Sequence, residues 1–203
     1  MSFKRLCLCR RALPAWLSAA VFSGLSSTLA AAQDCPTAFS GKAGFVVQRG
    51  EQKTEVFHVG DSIVRTVMRY NGATLLETTQ HQGLFQLDRL DRGLRTKYEP
   101  QTDLKSLFPL KPGRIVKAEF TSEGNGRRGT LSVELAVKGT DVVWIGPCKY
   151  SVLKIDRTES YNGAPPRFVD TDYYSPELRL SLAKEWRGGG GTHTNKYDRI
   201  HSL

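Results

Sequence analysis

The chain has 203 residues, 39% hydrophobic and 24% charged, with 29 Lys/Arg against 20 Asp/Glu for a formal net charge of +9. Four of those cations and none of the anions fall in the first 32 residues, so the remainder carries 25 against 20, a balance of +5. That is too mild to argue for a nucleic-acid partner, and it describes a mixed-charge surface.

The first 32 residues read as an export signal. Lys4, Arg5, Arg10 and Arg11 form a basic n-region, residues 12–25 a short apolar h-region, and residues 27–32 a small-residue stretch that predicts cleavage after Ala32. The apolar run is too short for a membrane span, so no stable span is expected after cleavage. The residues before Cys35 are Ala-Gln-Asp rather than small, which argues against a lipid anchor. The pattern predicts a periplasmic protein, and residues 33–203 fit one domain with a sizeable core.

From there the chain reads as short antiparallel strands. Segments 43–49, 53–59, 62–70 and 73–80 alternate apolar and polar residues. Asn71-Gly72 between the last two is the strongest short hairpin signal, because both central positions of a type I′ turn need positive φ. Segments 84–88 and 94–98 flank a charged turn. Residues 99–113 break the rhythm. There Thr102 or Asp103 caps a short helical turn over 102–108, which Pro109 and Pro112 limit, and Leu107, Phe108 and Leu110 plug the core.

Strands follow at 114–121 and 130–138, with a turn expected at 139–141. Next come 142–145 and 150–158, with Gly146-Pro147 marking a break, bulge or edge between them. Asn162-Gly163 is a second hairpin turn. Segments 168–174 and 178–186 are strands, 188–195 is a flexible glycine-rich loop, and 197–200 is a last strand. Ten or more short strands with almost no helical periodicity predict an all-β antiparallel meander. It forms a strongly curved sheet or half-open barrel, with the helical cover near 102–108 over one mouth.

Two of the four cysteines leave with the signal. Cys35 and Cys148 remain, an even count in an oxidising compartment, and a disulfide between them is expected. Without a neighbouring histidine cluster they make no zinc site, so no metal and no cofactor are expected.

Three segments recur together: Leu107-Phe-Pro-Leu-Lys-Pro-Gly113, Val142-Val-Trp-Ile-Gly146 and Tyr173-Tyr-Ser-Pro-Glu-Leu178. This pattern resembles a group of uncharacterised bacterial periplasmic proteins similar to the lipoprotein-carrier (LolA/LolB-like) superfamily of curved sheets. The resemblance implies a half-barrel of about eleven strands with a short helical cover and a concave face that holds something apolar. It transfers no catalytic site.

Candidate chemistry is sparse. His58 or His81 with Asp61, Glu77 or Asp88 and a serine lacks a nucleophile-elbow glycine pattern, so no catalytic triad is assigned. Asp170 and Asp172 share a strand face, with Glu177 nearby, and paired carboxylates suit acid–base work or calcium. Trp144, Tyr173, Tyr174 and Trp186 are candidate lining for an apolar pocket, although Tyr173 and Tyr174 cannot point the same way in a regular strand. Arg127 and Arg128, in a Gly/Asn-rich tip, are candidate anion contacts. The other strand arginines are interleaved with carboxylates and predict cross-strand ion pairs. The leading expectation is a non-enzymatic envelope protein that binds a lipid or other apolar ligand, an envelope polymer or a partner protein through its curved sheet. The alternatives are an envelope hydrolase using the carboxylates near 170–177, and an assembly factor acting by strand-edge pairing.

Overall fold

The computed structural model describes residues 35–37, 44–166, 169–188 and 191–203, with 187 and 188 described by backbone alone. All belong to one unit, Gln33–Leu203. The expected signal and its cleavage point lie outside the described residues.

Thirteen antiparallel strands form one sheet among them. They are β1 (Phe45–Arg49), β2 (Gln52–Val59), β3 (Ile63–Tyr70), β4 (Ala73–His81), β5 (Phe85–Asp91), β6 (Leu94–Pro100), β7 (Ile115–Gly124), β8 (Arg127–Ile145), β9 (Cys148–Tyr161), β10 (Val169–Ser175), β11 (Leu180–Gly188), β12 (Gly191–Lys196) and β13 (Arg199–Ser202). Strands β1 to β12 pair in chain order, and β13 then joins the far edge beside β1. The all-β meander expected from the hairpin rhythm is therefore the fold.

Chain connectivity makes the sheet curl. Thirteen strands laid flat at about 4.8 Å spacing would span about 58 Å. Yet Lys196, the last residue of β12, and Arg199, the first of β13, are three peptide steps apart and so at most about 11 Å. The two ends of the sheet meet at that corner, where the amide of Tyr197 donates to the Leu182 carbonyl and that of Asp198 to the Gln48 carbonyl. No ladder joins β12 to β13 among the described residues, so the sheet curves without closing into a hydrogen-bonded barrel.

The turn chemistry follows the sequence. Asn71 and Gly72 both sit at positive φ, as do Asn162 and Gly163. Three readings are corrected. The turn expected at 139–141 is absent: β8 runs unbroken through it, and the register shifts between Val137 and Gly139. A glycine in a strand marks a bulge as readily as a turn, and here Lys138 is the extra residue. The actual reversal is two residues long, Gly146-Pro147, between Ile145 and Cys148. The flexible loop expected over 188–195 is, in its described part, a strand: β12 pairs with β11 from Ala183↔Lys196 to Gly188↔Gly191. The last strand is likewise shifted, to Arg199–Ser202.

The interior holds two apolar clusters. One gathers Phe85, Phe120, Leu135 and Ile155 with the cover segment. That segment contains a 3₁₀ turn, Leu104–Leu107, capped by the Asp103 carboxylate, which accepts from the Lys105 amide at 3.1 Å. Leu104 and Leu110 are buried, and Leu107 and Phe108 pack against the cluster, with Phe108 edge-on to Phe85. The second cluster contains Phe45, Val56, Ile145, Tyr150, Leu178 and Ile200. The Cys35–Cys148 disulfide joins it to the lead-in, with Cα atoms 5.5 Å apart, and the Tyr150 hydroxyl donates to the Pro36 carbonyl.

The Ser175–Leu178 turn reaches across to strands that are not its sheet neighbours. Leu178 is fully buried. Its carbonyl accepts from His58 Nε2 at 2.9 Å, and the Tyr174 hydroxyl donates to the Gln82 carbonyl at 2.8 Å. Gly83 lies so close that a Cβ there would sit 1.7 Å from the Arg179 carbonyl oxygen. Among the described residues no helix is long and apolar enough to cross a membrane.

Candidate functional site

On several strands the inward face changes from apolar to polar along its length. β9 presents Ile155, then Arg157, Glu159 and Tyr161 at alternate positions. β3 presents Val64 and then Thr66. Thr66 stands opposite Thr78 of β4, their hydroxyls 2.8 Å apart. On β5, Gln86 faces Gln80. Between these polar stretches lies a cavity of about 720 Å³. That volume falls within the roughly 300–1,000 Å³ typical of small-ligand sites.

One wall is charged. Arg157 donates from Nε to Glu159 at 2.7 Å and from Nη1 to the Leu84 carbonyl at 2.8 Å, which ties β9 to the start of β5. The Tyr161 hydroxyl donates to the other Glu159 oxygen at 3.2 Å. Burial pushes Glu159 up, but Arg157 and the Tyr161 hydroxyl outweigh it and hold the carboxylate below its usual range. Tyr161 moves the other way: burial first, then the Glu159 charge, push it up to about 12. Lys184 on β11 is held by Asp170 at 2.8 Å.

Asp172 lines the same cavity and is 5% exposed. It stands opposite Ile155 on β9 and Lys184 on β11, so alternation turns it inward. The nearby cations are already engaged by Glu159 and Asp170, and among the described residues the Asp172 side chain has neither a hydrogen bond nor an ion pair. Burial raises its pKa, and the Asp170 and Glu159 charges add to the rise against the opposing pull of Arg157 and Lys184. Gln86, on β5, lines the same cavity, and its Nε2 is buried and has no acceptor. Arg49 and Lys196, at the seam where β1 and β12 approach, also line the cavity and form no ion pair among the described residues.

The residues singled out from sequence fall elsewhere. Trp144 is 53% exposed, with the Lys149 amine 5.7 Å from its ring centroid; its neighbours Val143 and Ile145 are the buried ones. Tyr174 is buried in the core. Tyr173, across a bulge, carries the Lys154 amine 5.5 Å from its ring centroid. Trp186 stacks on His193 at 5.6 Å, on the face that Lys184 and Asn195 share. None of these four aromatics lines the cavity. Arg127 and Arg128 are exposed at the β7–β8 tip, also outside it. Of the three carboxylates near 170–177, Asp172 lines the cavity, Asp170 is paired, and Glu177 is exposed. His81 ends β4 and is buried against Phe108. His193 and His201 lie in β12 and β13.

The interleaved arginines form the expected cross-strand pairs, Arg65–Glu77 at 3.0 Å and Arg69–Glu55 at 3.1 Å. Sequence reading missed Arg157, Glu159, Gln86 and the threonines. The signal that finds Arg157, Glu159 and the threonines is parity: each continues the inward alternation of its strand past the apolar residues. Gln86 follows buried Phe85 directly, beside a register shift between β4 and β5, and carries no such signal.

No family model matches the chain, and no curated protein matches it. The solved structures that are similar include these two. One is the hypothetical lipoprotein YmcC from Escherichia coli K12, at 12% identity over 75% of this chain and 86% of that one, with a TM-score of 0.46. The other is a putative exported protein with a YmcC-like fold from Bacteroides fragilis, at 12% identity over 77% of this chain and 92% of that one, with a TM-score of 0.36. Neither is described as a lipoprotein carrier, and the carrier resemblance stays an expectation from sequence.

Proposed function

We propose that this is an exported protein of the bacterial periplasm that works by binding, not catalysis, and holds its ligand in the cavity inside the curved sheet. The observation that carries the reading is Asp172: a 5% exposed carboxyl without a partner, facing about 720 Å³ of space. Burial disfavours its charge, and among the described residues the cavity is the one place from which a donor can reach it. The basic, apolar, small-residue order of the first 32 residues and the Cys35–Cys148 disulfide support export to an oxidising compartment.

The lining favours a hydrogen-bonding ligand over an aliphatic chain, because threonine, glutamine, tyrosine and charged groups dominate it. Native mass spectrometry of protein released gently from the periplasm tests the reading. The expected result is a bound mass that Asp172→Asn reduces. Protein that is always empty and also captures no partner overturns it.

One observation favours a second reading, the hydrolase. Asp172 is pushed up while Glu159 is held down, and carboxyls driven apart in this way suit general acid and base roles. Turnover of chromogenic glycosides or esters that disappears with either Asp172→Asn or Glu159→Gln would establish it. The strand-edge reading draws less support: the edge strands β12 and β13 are six and four residues long, and short edges resist pairing.

A further inference from the structure

Two side chains of opposite character line the cavity. The Asp172 carboxyl, more than nine-tenths buried, forms no hydrogen bond or ion pair among the described residues and takes a donor when ionised. Gln86, on β5, holds its Nε2 buried without an acceptor. The Arg157 bond to the Leu84 carbonyl, two residues before Gln86, fixes the two walls relative to one another. The surface between them is rich in hydroxyls, with the Thr66–Thr78 pair and the Tyr98 and Tyr161 phenols.

An aliphatic ligand would leave both groups unsatisfied and would also desolvate the threonines. A compact ammonium ion would satisfy Asp172 but offer nothing to Gln86. A simple anion would satisfy Gln86 but face Asp172 and Glu159. A ligand with closely spaced hydroxyls supplies donor and acceptor together, because each hydroxyl is both.

From this complementarity, and resting on the binding reading above, we infer that the cavity takes a saccharide segment, with Asp172 accepting from ring hydroxyls and the Gln86 amide turning into the cavity to donate to them. Apolar Met68, Leu76 and Leu182 in the lining give the faces of a sugar ring something to pack against.

The test is protein-observed NMR titration of the full-length gene product purified after export. Chitotriose and trigalacturonate are the saccharide probes, and dodecanoate is the apolar one. The expected result is saturable shifts for at least one trimer at residues around Asp172 and Gln86. Asp172→Asn and Gln86→Leu are each expected to weaken that binding about tenfold or more, the loss of one hydrogen bond to a buried group. Gln86→Leu removes a buried donor without an acceptor, and Asp172→Asn removes a charge that burial disfavours, so both thermal midpoints hold or rise at neutral pH. A residue kept for folding would behave in the opposite way, and a falling midpoint overturns the assignment. Dodecanoate binding in the cavity with neither trimer bound overturns the saccharide inference and leaves the binding reading standing. A cavity that no probe enters, in protein that is also empty by native mass spectrometry, overturns both.

Discussion

Asp172 and His81 give the molecule two opposite responses to pH. Asp172 holds its proton more tightly folded than unfolded, chiefly because burial disfavours the carboxylate. Its folded pKa lies above the ordinary value of 3.8, so as pH rises from there the unfolded chain ionises first and stability falls. Asp172→Asn removes that loss. It is expected to stabilise by on the order of 1–3 kcal/mol at pH 8 and by much less at pH 4. Urea unfolding at the two pH values checks this, and an equal gain at both would show that ionisation is not the cause. His81 works in the other direction. Burial first, and Lys105 second, lower its pKa below 6.5 against the pull of Asp103. The unfolded chain therefore takes up the proton first, so the stability of the neutral ring is present above 6.5 and lost as pH falls below it. Wild type is expected to lose more stability between pH 7.5 and 5.5 than His81→Leu does, read as the difference in thermal midpoint. His81 packs on Phe108, so the loss begins at the cover segment.

At the scale of turns and strands, the positive-φ glycines divide by what a side chain would meet. Gly72 and Gly83 both have positive φ, at 79° and 67°. Around Gly72 there is open space, whereas a Cβ on Gly83 would meet the Arg179 carbonyl at 1.7 Å. Gly72→Ala is therefore expected to cost about 1–2 kcal/mol, the left-handed penalty alone. Gly83→Ala must also displace the turn that buries Leu178, and is expected to cost at least about twice as much. Equal midpoints for the two variants in urea would contradict the cross-sheet contact. Elements of this kind were legible from sequence where the cause is local. Asn71-Gly72, Asn162-Gly163, the Asp103 cap and the proline-limited cover each depend on a few adjacent residues. The bulge at Lys138 was not, because a glycine beside polar residues carries one signature for two outcomes and only the partner strand's register decides between them. The site was legible only in part. Alternation placed Asp170 and Asp172 on one face, but alternation does not say what lies over that face. The curl of the sheet brings Asp172 into one cavity with Gln86 and the threonines, from strands far from β10 in the pairing order. Trp144 failed for the converse reason: its size suggested a pocket, while parity with buried Val143 and Ile145 puts it outside.

At the scale of the whole molecule, most pairing is between consecutive strands, and the contacts that define the curl include the β1–β13 ladder, the bonds of residues 197 and 198 to Leu182 and Gln48, the bonds from 157–178 to 58–84, and the disulfide. The disulfide closes a sequence separation of 113 residues, which on the chain-entropy account is worth up to about 4–5 kcal/mol. It acts on the unfolded chain more than on the folded sheet. In the folded state Cys148 is fully buried in the second apolar cluster, with Tyr150, whose hydroxyl meets the Pro36 carbonyl. The double variant Cys35→Ala with Cys148→Ala is therefore expected to unfold at lower urea by roughly 4 kcal/mol. Its m-value should rise, because an uncrosslinked unfolded chain exposes more surface. Neither cysteine lines the cavity, so ligand affinity measured well below the midpoint should not change. A variant as stable as wild type would show that the lead-in imposes no constraint on the chain. A variant that is stable but has lost binding would show that the lead-in, through the second cluster, sets the curvature that brings Asp172 into one cavity with Gln86.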